Sequence, residues 1–408
     1  MSERFSKVVI FVFYIFAALQ LFFSYKSFRS GLDYLHFFRR EVAGPRAGYA
    51  PFVTVIAPCK GNDDGLRENL NSLLNQDYPD YEVIFVVDDA ADAAVEVIEG
   101  ASREAIIISR LVISCKAVNS GQKVENLREA VLHANDASQV FVFADSDIRV
   151  PTNWLSALVA PLEDEAISAT TGYRWFISPG GFNLAAALRS VWNASIASAL
   201  GPDMKTNFCW GGSTAIRRGI FETLDIREKW RGVLSDDFAL TRALNEAGSS
   251  IRFVPLAILP SFGKCSFGGL LEFTNRQMKI TRVYSSRLWL QSFLGTGLYV
   301  LVMAGAILIL FLMPPLSDHW IAAVVILLSV VALGTAKAAL RLNAVDLALN
   351  TFAFDRQRQR IFHLTLWVVT PFLFLLNSTV ALFSRRVRWR GISYEMVSPR
   401  ETRVLERW

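Results

Sequence analysis

Four stretches of the 408-residue chain carry no Lys, Arg, Asp, Glu or His: Val8 to Tyr25, Leu288 to Ser317, Trp320 to Ala336, and Leu364 to Ser384. At about 1.5 Å of helical rise per residue, each is long enough, or nearly so, to cross a hydrocarbon core of roughly 30 Å. The pattern predicts one span at 8–25 and three more at about 292–313, 320–340 and 364–384. Pro314-Pro315 marks a tight hairpin between the second and third spans. Between Pro51 and Arg287 the pattern changes to short β-branched runs separated by charged helical segments. PFVTVIAP, YEVIFVVDD, ISRLVIS and QVFVFADSD read as four strands buried on both faces, as in a largely parallel sheet. Asp64 to Gln76 and Gly121 to Asn135 read as helices between them, so the order is β-α-β with right-handed crossovers. Ligands of such sheets bind beyond the carboxyl ends of the strands, which points to the loops after Ala57, Val87 and Ala144.

The expected organisation is an amino-terminal anchor and linker at 1–50, an α/β domain at 51–287, a membrane region at 288–384 and a basic tail at 385–408. The unbroken apolar length of the first stretch, without a small-x-small cleavage site, favours an anchor over a signal peptide. Lys26 to Arg46 holds five basic residues, Lys337 to Arg360 holds five, and the Pro314 to His319 turn holds none. The positive-inside rule therefore places the α/β domain in the cytoplasm, bound to the cell membrane of a bacterium or to Golgi or ER membranes of a eukaryote. Parity over four spans puts the tail outside, whereas Arg385, Arg386, Arg388 and Arg390 argue for inside; a re-entrant last stretch or an interfacial helix near Asn183 to Leu200 would explain the conflict.

Composition narrows the function classes. With 52% hydrophobic residues the chain is no disordered tail. The net charge of +5 comes from Lys and Arg beside the apolar stretches, which suits anionic lipid headgroups and argues against a nucleic-acid partner. Cys59, Cys115, Cys209 and Cys265 are scattered, without a CxxC pair, so neither a zinc knuckle nor a disulfide framework is indicated. The uncharged spans disfavour a transporter.

Three acidic clusters fall at loop positions: Asp88, Asp89 and Asp92; Asp145-Ser-Asp147; and Asp236-Asp237. Crowded carboxylates repel unless a cation or donors offset them, and Asp-x-Asp after a buried strand suits Mg²⁺ or Mn²⁺ shared with substrate phosphates. Taken alone, DSD also fits an Asx-capped turn, and Ser235-Asp236-Asp237 also fits a helix start. The histidines are dispersed and form no triad or metal site.

In order along the chain stand VTVIAPCKG, NQDYPDYEVIFVVDD, GQKVENL, FADSDIRV, TGYRWF, CWGGSTAIRR, SDDFALTRAL, the basic segment Arg276-Gln-Met-Lys279-Ile280-Thr-Arg282, and WRGISY. Together they resemble the family 2 glycosyltransferases, inverting enzymes of GT-A (Rossmann-like α/β) fold, and most nearly their membrane-bound ceramide glucosyltransferase branch. The resemblance implies that Ala57, Pro58 and Lys60 lie against the nucleotide, with Asp89 at the base or ribose. It implies that Asp145 and Asp147 hold the metal, that Lys123 adds a nucleotide or phosphate contact, and that Asp237 is the base, with Asp92 and Asp236 in secondary roles. Arg276 and Lys279 would meet the diphosphate or acceptor. Gly211 and Gly212 fit either a backbone-lined loop near the donor sugar or a plain turn. Trp175, Phe176 and Trp210 are candidates for stacking on a sugar or acyl chain, or for the core. The family closes with a basic or Gln residue, two spacers and Arg-Trp, whereas Arg276, Lys279 and Ile280 stand here, which removes a bidentate grip and an aromatic wall.

The implied activity is transfer of a hexose, glucose from UDP-glucose above all, to a lipid hydroxyl such as that of ceramide, a hopanoid-like polyol, a carotenoid or diacylglycerol. A processive polysaccharide synthase is the alternative.

Overall fold

The computed structural model describes residues 3–44, 48–63, 65–178 and 182–408. The chain begins with α1 (Glu3–Ala43) and continues through β1 (Val53–Pro58), α2 (Leu66–Leu74), β2 (Tyr81–Val87), α3 (Ala94–Glu104), β3 (Ile108–Ile113), α4 (Gln122–Ala130) and β4 (Val140–Ala144). Next come α5 (Trp154–Val159), β5 (Ile167–Ile177), α6 (Leu184–Ala197), β6 (Ser213–Arg217), α7 (Arg218–Thr223), α8 (Ile226–Lys229), α9 (Asp236–Glu246) and β7 (Ser250–Phe262). The remainder is α10 (Phe267–Tyr284), α11 (Ser286–Leu312), α12 (Asp318–Ala348), α13 (Arg356–Thr365), α14 (Thr370–Phe383) and the strands β8 (Arg386–Trp389), β9 (Ile392–Ser398) and β10 (Glu401–Arg407). The helix expected over Asp64 to Gln76 is α2; its proposed first residue, Asp64, lies outside the described residues.

The seven-stranded sheet has the order β3-β2-β1-β4-β6-β5-β7. Strands β3, β2, β1 and β4 are parallel, β6 runs antiparallel between β4 and β5, and β7 is parallel to β5. Helices cover both faces, which is why β1, β2 and β4 read as largely apolar runs, broken only by the hydrogen-bonded buried pair Thr54 and Glu82: Val53, Val55 and Ala57 face one core, Ile56 faces the other, and none is exposed. ISRLVIS departs from the expectation of full burial. As an edge strand it has one hydrogen-bonded neighbour, and Ile108 and Ile113 face outward.

The tail is not a loose basic extension. It forms a second, antiparallel sheet, β10-β9-β8. Val387, Ile392, Tyr394 and Met396 from it share a core with Ile56, Ile84, Leu127 and Leu240. Their period-two spacing buries one face and leaves the arginines on the other.

Among the described residues, three helices are long and apolar enough to cross a membrane: Val8–Ala43 within α1, α11 and α12. The 41 residues of α1 span about 60 Å, twice a hydrocarbon core, and its distal half packs Tyr34, Phe37 and Phe38 against β7 and α12. Within the bundle small residues permit close approach: Ala17, Ala306 and Ala323 are fully packed, and a Cβ on Gly305 would lie 2.9 Å from the Phe13 ring. The expected 364–384 span is broken. A one-turn 3-10 segment (Leu366–Val368) separates α13 from α14, the pair bends by 59°, and Pro371, with no N–H, stands at the second position of α14.

Candidate active site

The loops after β1, β2 and β4 open on one edge of the sheet, where the chain turns to β2 on one side of β1 and to β4 on the other. That switch point is the mouth of a cleft of about 1340 Å³. Pro58, Lys60, Lys123, Asp145, Asp147, Asp236, Asp237, Gly211 and Arg276 all line it, so most of the residues selected from sequence converge on one space.

Asp145 and Asp147 leave β4 on a tight loop and share one cation. Arg174 on β5 donates from Nη2 to Asp145 Oδ2 at 2.8 Å and to Asp147 Oδ1 at 2.7 Å. The same guanidinium lies over the rings of Trp210 and Phe176, 5.3 and 5.4 Å from their centroids. Lys123 on α4 completes the arrangement, 2.8 Å from Asp145 Oδ1 and 3.3 Å from Asp236 Oδ2, and it donates to the Gly211 carbonyl at 3.2 Å. Lys123 is therefore an internal counter-charge whose donors are all engaged, not an ammonium free for a nucleotide. Burial pushes Asp145 up, but Lys123 and Arg174 outweigh it and hold the carboxyl below its ordinary range. Asp236 has the weaker share of Lys123, and burial, with Asp237 and Asp145 adding to it, raises its carboxyl to about 6.

Gly211 and Gly212 are required by this packing. A Cβ on Gly211 would overlap Asp236 Oδ2, and one on Gly212 would overlap the Trp210 ring and come within 2.6 Å of Asp145 Oδ2. Asp237 sits in the first turn of α9, half-exposed to the cleft; it accepts from Ser235 Oγ and, at 2.7 Å, from the Phe238 amide. Ser235 spends its hydroxyl on this carboxylate, and no side-chain hydrogen bond caps the helix. An anion here also gains from the helix amino terminus.

Two expected contacts, those of Asp89 and Lys279, are placed differently. Asp89 points outward to Lys116, at 2.8 Å, and the buried position in that pair belongs to Asp88, which receives Lys60 Nζ at 2.8 Å. The chain leaves β2 at Val87, and Asp88 continues inward where Asp89 turns to solvent. Asp92 accepts from the Gly61 and Ala94 amides at 2.8 and 2.9 Å, which pins the β1 loop to the start of α3. Lys279 does not face the cleft. One turn beyond Arg276 it donates to Ser384 Oγ and the Arg386 carbonyl, at 3.2 and 2.7 Å, and so ties α10 to the start of β8. Trp175 is core, stacked on His363 at 5.2 Å, whereas Trp210 and Phe176 line the cleft.

No site role was read from sequence for Arg174, Arg189, Trp389 or Arg390, all of which line the cleft, although TGYRWF and WRGISY were among the motifs singled out. Strand alternation was the available signal for Arg174, which shares a face of β5 with Gly172 and Phe176. Arg276 lies between the rings of Phe273 and Trp389, with centroids at 5.6 and 5.2 Å; burial lowers its guanidinium to about 10, opposed by Glu272 and helped by Arg174 and Arg390.

A sequence profile for Glycosyl transferase family 21 matches residues 15–401, nearly the whole chain. The chain belongs to glycosyltransferase family 21. Ceramide glucosyltransferase 1 of Caenorhabditis elegans is 22% identical over 231 residues, 55% of this chain and 48% of that protein. The hyaluronan synthase of Streptococcus pyogenes is 32% identical over 125 residues, 30% of this chain and 29% of that protein. The chain thus spans about half or less of the curated relatives it matches. Among solved structures, a mannosyltransferase from Pyrobaculum calidifontis in complex with GDP-Man and Mn²⁺ is 17% identical, with a TM-score of 0.46 over 90% of this chain and 98% of that one. With the family, the mixed α/β sheet is read as the GT-A fold expected from sequence.

The chemistry of the donor set fits a divalent cation. Asp145 and Asp147 present hard carboxylate oxygens one residue apart. Among the described residues no cluster of three or more His, Cys, Asp or Glu joins them, which would leave the other positions to water and phosphate, as Mg²⁺ and Mn²⁺ accept.

Proposed function

We propose that this chain is a membrane-bound, inverting glycosyltransferase that moves a hexose, expected to be glucose from UDP-glucose, to a hydroxyl of a bilayer-anchored lipid such as ceramide. The observation that carries the reading is the extent of the cleft. It runs without interruption from Pro58, Lys60 and Asp145 to Leu288 and Ser292 on α11 and Phe374 on α14. A lipid whose chains lie between those apolar helices can present its hydroxyl near Asp237 without leaving the membrane. A soluble sugar gains nothing from that apolar end.

In this reading Asp237 takes the proton of the attacking hydroxyl while Arg276 and Arg174 face the charge that develops on the leaving diphosphate. Lys123 holds Asp236 and Asp145 in place. Asp145 and Asp147 would hold Mg²⁺ or Mn²⁺, which when bound supplies Lewis-acid charge at the diphosphate.

The proposed organisation keeps the catalytic region at 51–287 between an anchor and a membrane region, with the tail as part of the catalytic unit. Tail and catalytic domain share a core, so they lie on one side of the membrane, and an even number of crossings must separate them. Helices α11 and α12 supply two. The bent α13–α14 pair then enters and leaves the same face, which suits both its 59° bend and the arginines on either side of it. The basic flanks make that face cytoplasmic.

The test is to supply nanodisc-embedded protein with labelled nucleotide sugars and a membrane lipid extract, then identify the products by mass spectrometry. One discrete glycolipid is the expected outcome. A ladder of products differing by one hexose would replace this reading with a polysaccharide synthase.

A further inference from the structure

The turn between β8 and β9 carries two successive left-handed residues, Arg390 at φ 51° and Gly391 at φ 73°. Trp389 pairs with Ile392, so these two are the central residues of a tight hairpin, a geometry that favours Asn-Gly or Asp-Gly. Glycine adopts it freely; arginine does so under strain. Strain held at one residue points to a use for its side chain.

The Arg390 guanidinium reaches across the cleft mouth, 2.5 Å from Asp63 on the loop after β1 and 4.0 Å from Asp147 on the loop after β4. Next to it, Trp389 underlies the Arg276 guanidinium at 5.2 Å. An aromatic ring is thus set against Arg276 from the far end of the chain, in addition to Phe273 of its own helix, while Ile280 packs in the core. The hairpin is firmly seated. The Gln122 amide donates to Tyr394 Oη at 3.2 Å, and Arg407 donates to the Ala117 carbonyl and, at 3.0 Å, to Gln122 Oε1.

We propose that Arg390 is a phosphate-binding residue of the donor site and that Trp389 is the positioning residue for Arg276, so the carboxy-terminal hairpin completes that site. The carboxylates that Arg390 faces are the same ones a nucleotide diphosphate would approach, and a guanidinium grips phosphate oxygens in a bidentate manner. This inference rests on the nucleotide-sugar reading above and assigns residues to it.

The experiment measures binding of uridine, UMP, UDP and GDP to the full chain in nanodiscs by calorimetry, with thermal unfolding of each variant alongside. Arg390→Gly is the decisive variant, because glycine relieves the turn. A purely structural role for Arg390 in pairing with Asp63 predicts lower stability, whereas the proposal predicts an unfolding midpoint unchanged or raised. UDP should bind about tenfold or more weakly, as for loss of a charge-assisted contact, with uridine within twofold. Arg390→Lys should recover part of the loss. Trp389→Leu should weaken UDP by a smaller factor and Trp389→Phe should restore it. Equal losses for uridine and UDP, or UDP affinity within twofold of the natural chain in Arg390→Gly, overturn the assignment of Arg390. Unchanged UDP binding in Trp389→Leu overturns that of Trp389. A natural chain that binds neither UDP nor GDP overturns the nucleotide-sugar reading and this inference with it.

Discussion

Lys123→Met tests whether the acidic network is held by one internal lysine. Its ammonium serves two carboxylates, but unequally: Asp145 keeps Arg174 when Lys123 is lost, while among the described residues Asp236 has no other cation in contact. Removing one member of a buried ion pair typically costs about 3–5 kcal/mol, since the other charge stays desolvated. At roughly 2–4 °C per kcal/mol for a domain of this size, the thermal midpoint at pH 7.5 should fall by on the order of 10 °C. The loss should also depend on pH. In the natural chain Asp236 titrates at about 6, against an ordinary value of 3.8. Between those limits the folded state binds more protons than the unfolded state, so this group's contribution to stability falls as pH rises. Without Lys123 the upper limit moves above 6 and the penalty at pH 7.5 grows. At pH 5 protonation of Asp236 relieves most of it. Lys123→Met with Asp236→Asn should therefore regain most of the midpoint, because no buried charge is then stranded. The assay is thermal unfolding by tryptophan fluorescence in nanodiscs at pH 5 and 7.5. A Lys123→Met midpoint within 2 °C of the natural chain, or a double variant no better than the single one, would refute the reasoning.

Asp237→Asn should reduce glycosyl transfer by about 10² to 10⁴ while UDP affinity stays within a few-fold; near-normal turnover would move the base elsewhere. UDP should bind more tightly with Mn²⁺ or Mg²⁺ than in EDTA, and Asp147→Ala should erase that difference; equal affinity in both conditions removes the metal from the site. Gly212→Ala should impair UDP binding more than it lowers the unfolding midpoint, because the added Cβ overlaps Trp210 and crowds Asp145; normal binding would mean that the loop shifts freely.

The half of the sheet around β1, β2 and β4 was legible because strands buried on both faces must be largely apolar. The other half was not. Strand β7 contains Pro255 and Pro260, residues that central strands exclude, yet β7 is the edge of the sheet and Pro255 falls in its unpaired register shift, where a missing N–H is tolerated. The tail had a readable signal in the alternation of Ile392, Tyr394 and Met396, but four nearby arginines made it look solvated. The conflict between loop parity and those arginines falls at the last apolar stretch, which is the one the structure breaks, with a 59° bend between α13 and α14 and a tail docked on the core.

For the site, the sequence located the carboxylates together with Lys60 and Lys123, but not the two arginines that face Asp145 and Asp147. Asp145, Asp147 and Asp237 follow from strand ends and a helix start, which are local features. Arg174 and Arg390 meet those carboxylates through tertiary geometry: strand alternation shows which face of β5 Arg174 shares, but not what it meets there. That difference has a consequence for how the site is maintained. The apolar face of the carboxy-terminal sheet is continuous with the core around Ile56 and Leu127, while its arginine-bearing tip reaches the loops after β1 and β4. Anything that loosens the Val387, Tyr394 and Met396 packing must therefore also withdraw Arg390 and Trp389 from the cleft. Donor binding and domain stability should be coupled through this sheet, so that UDP raises the unfolding midpoint of the natural chain more than that of a variant with Met396→Ala, even though Met396 is absent from the cleft lining.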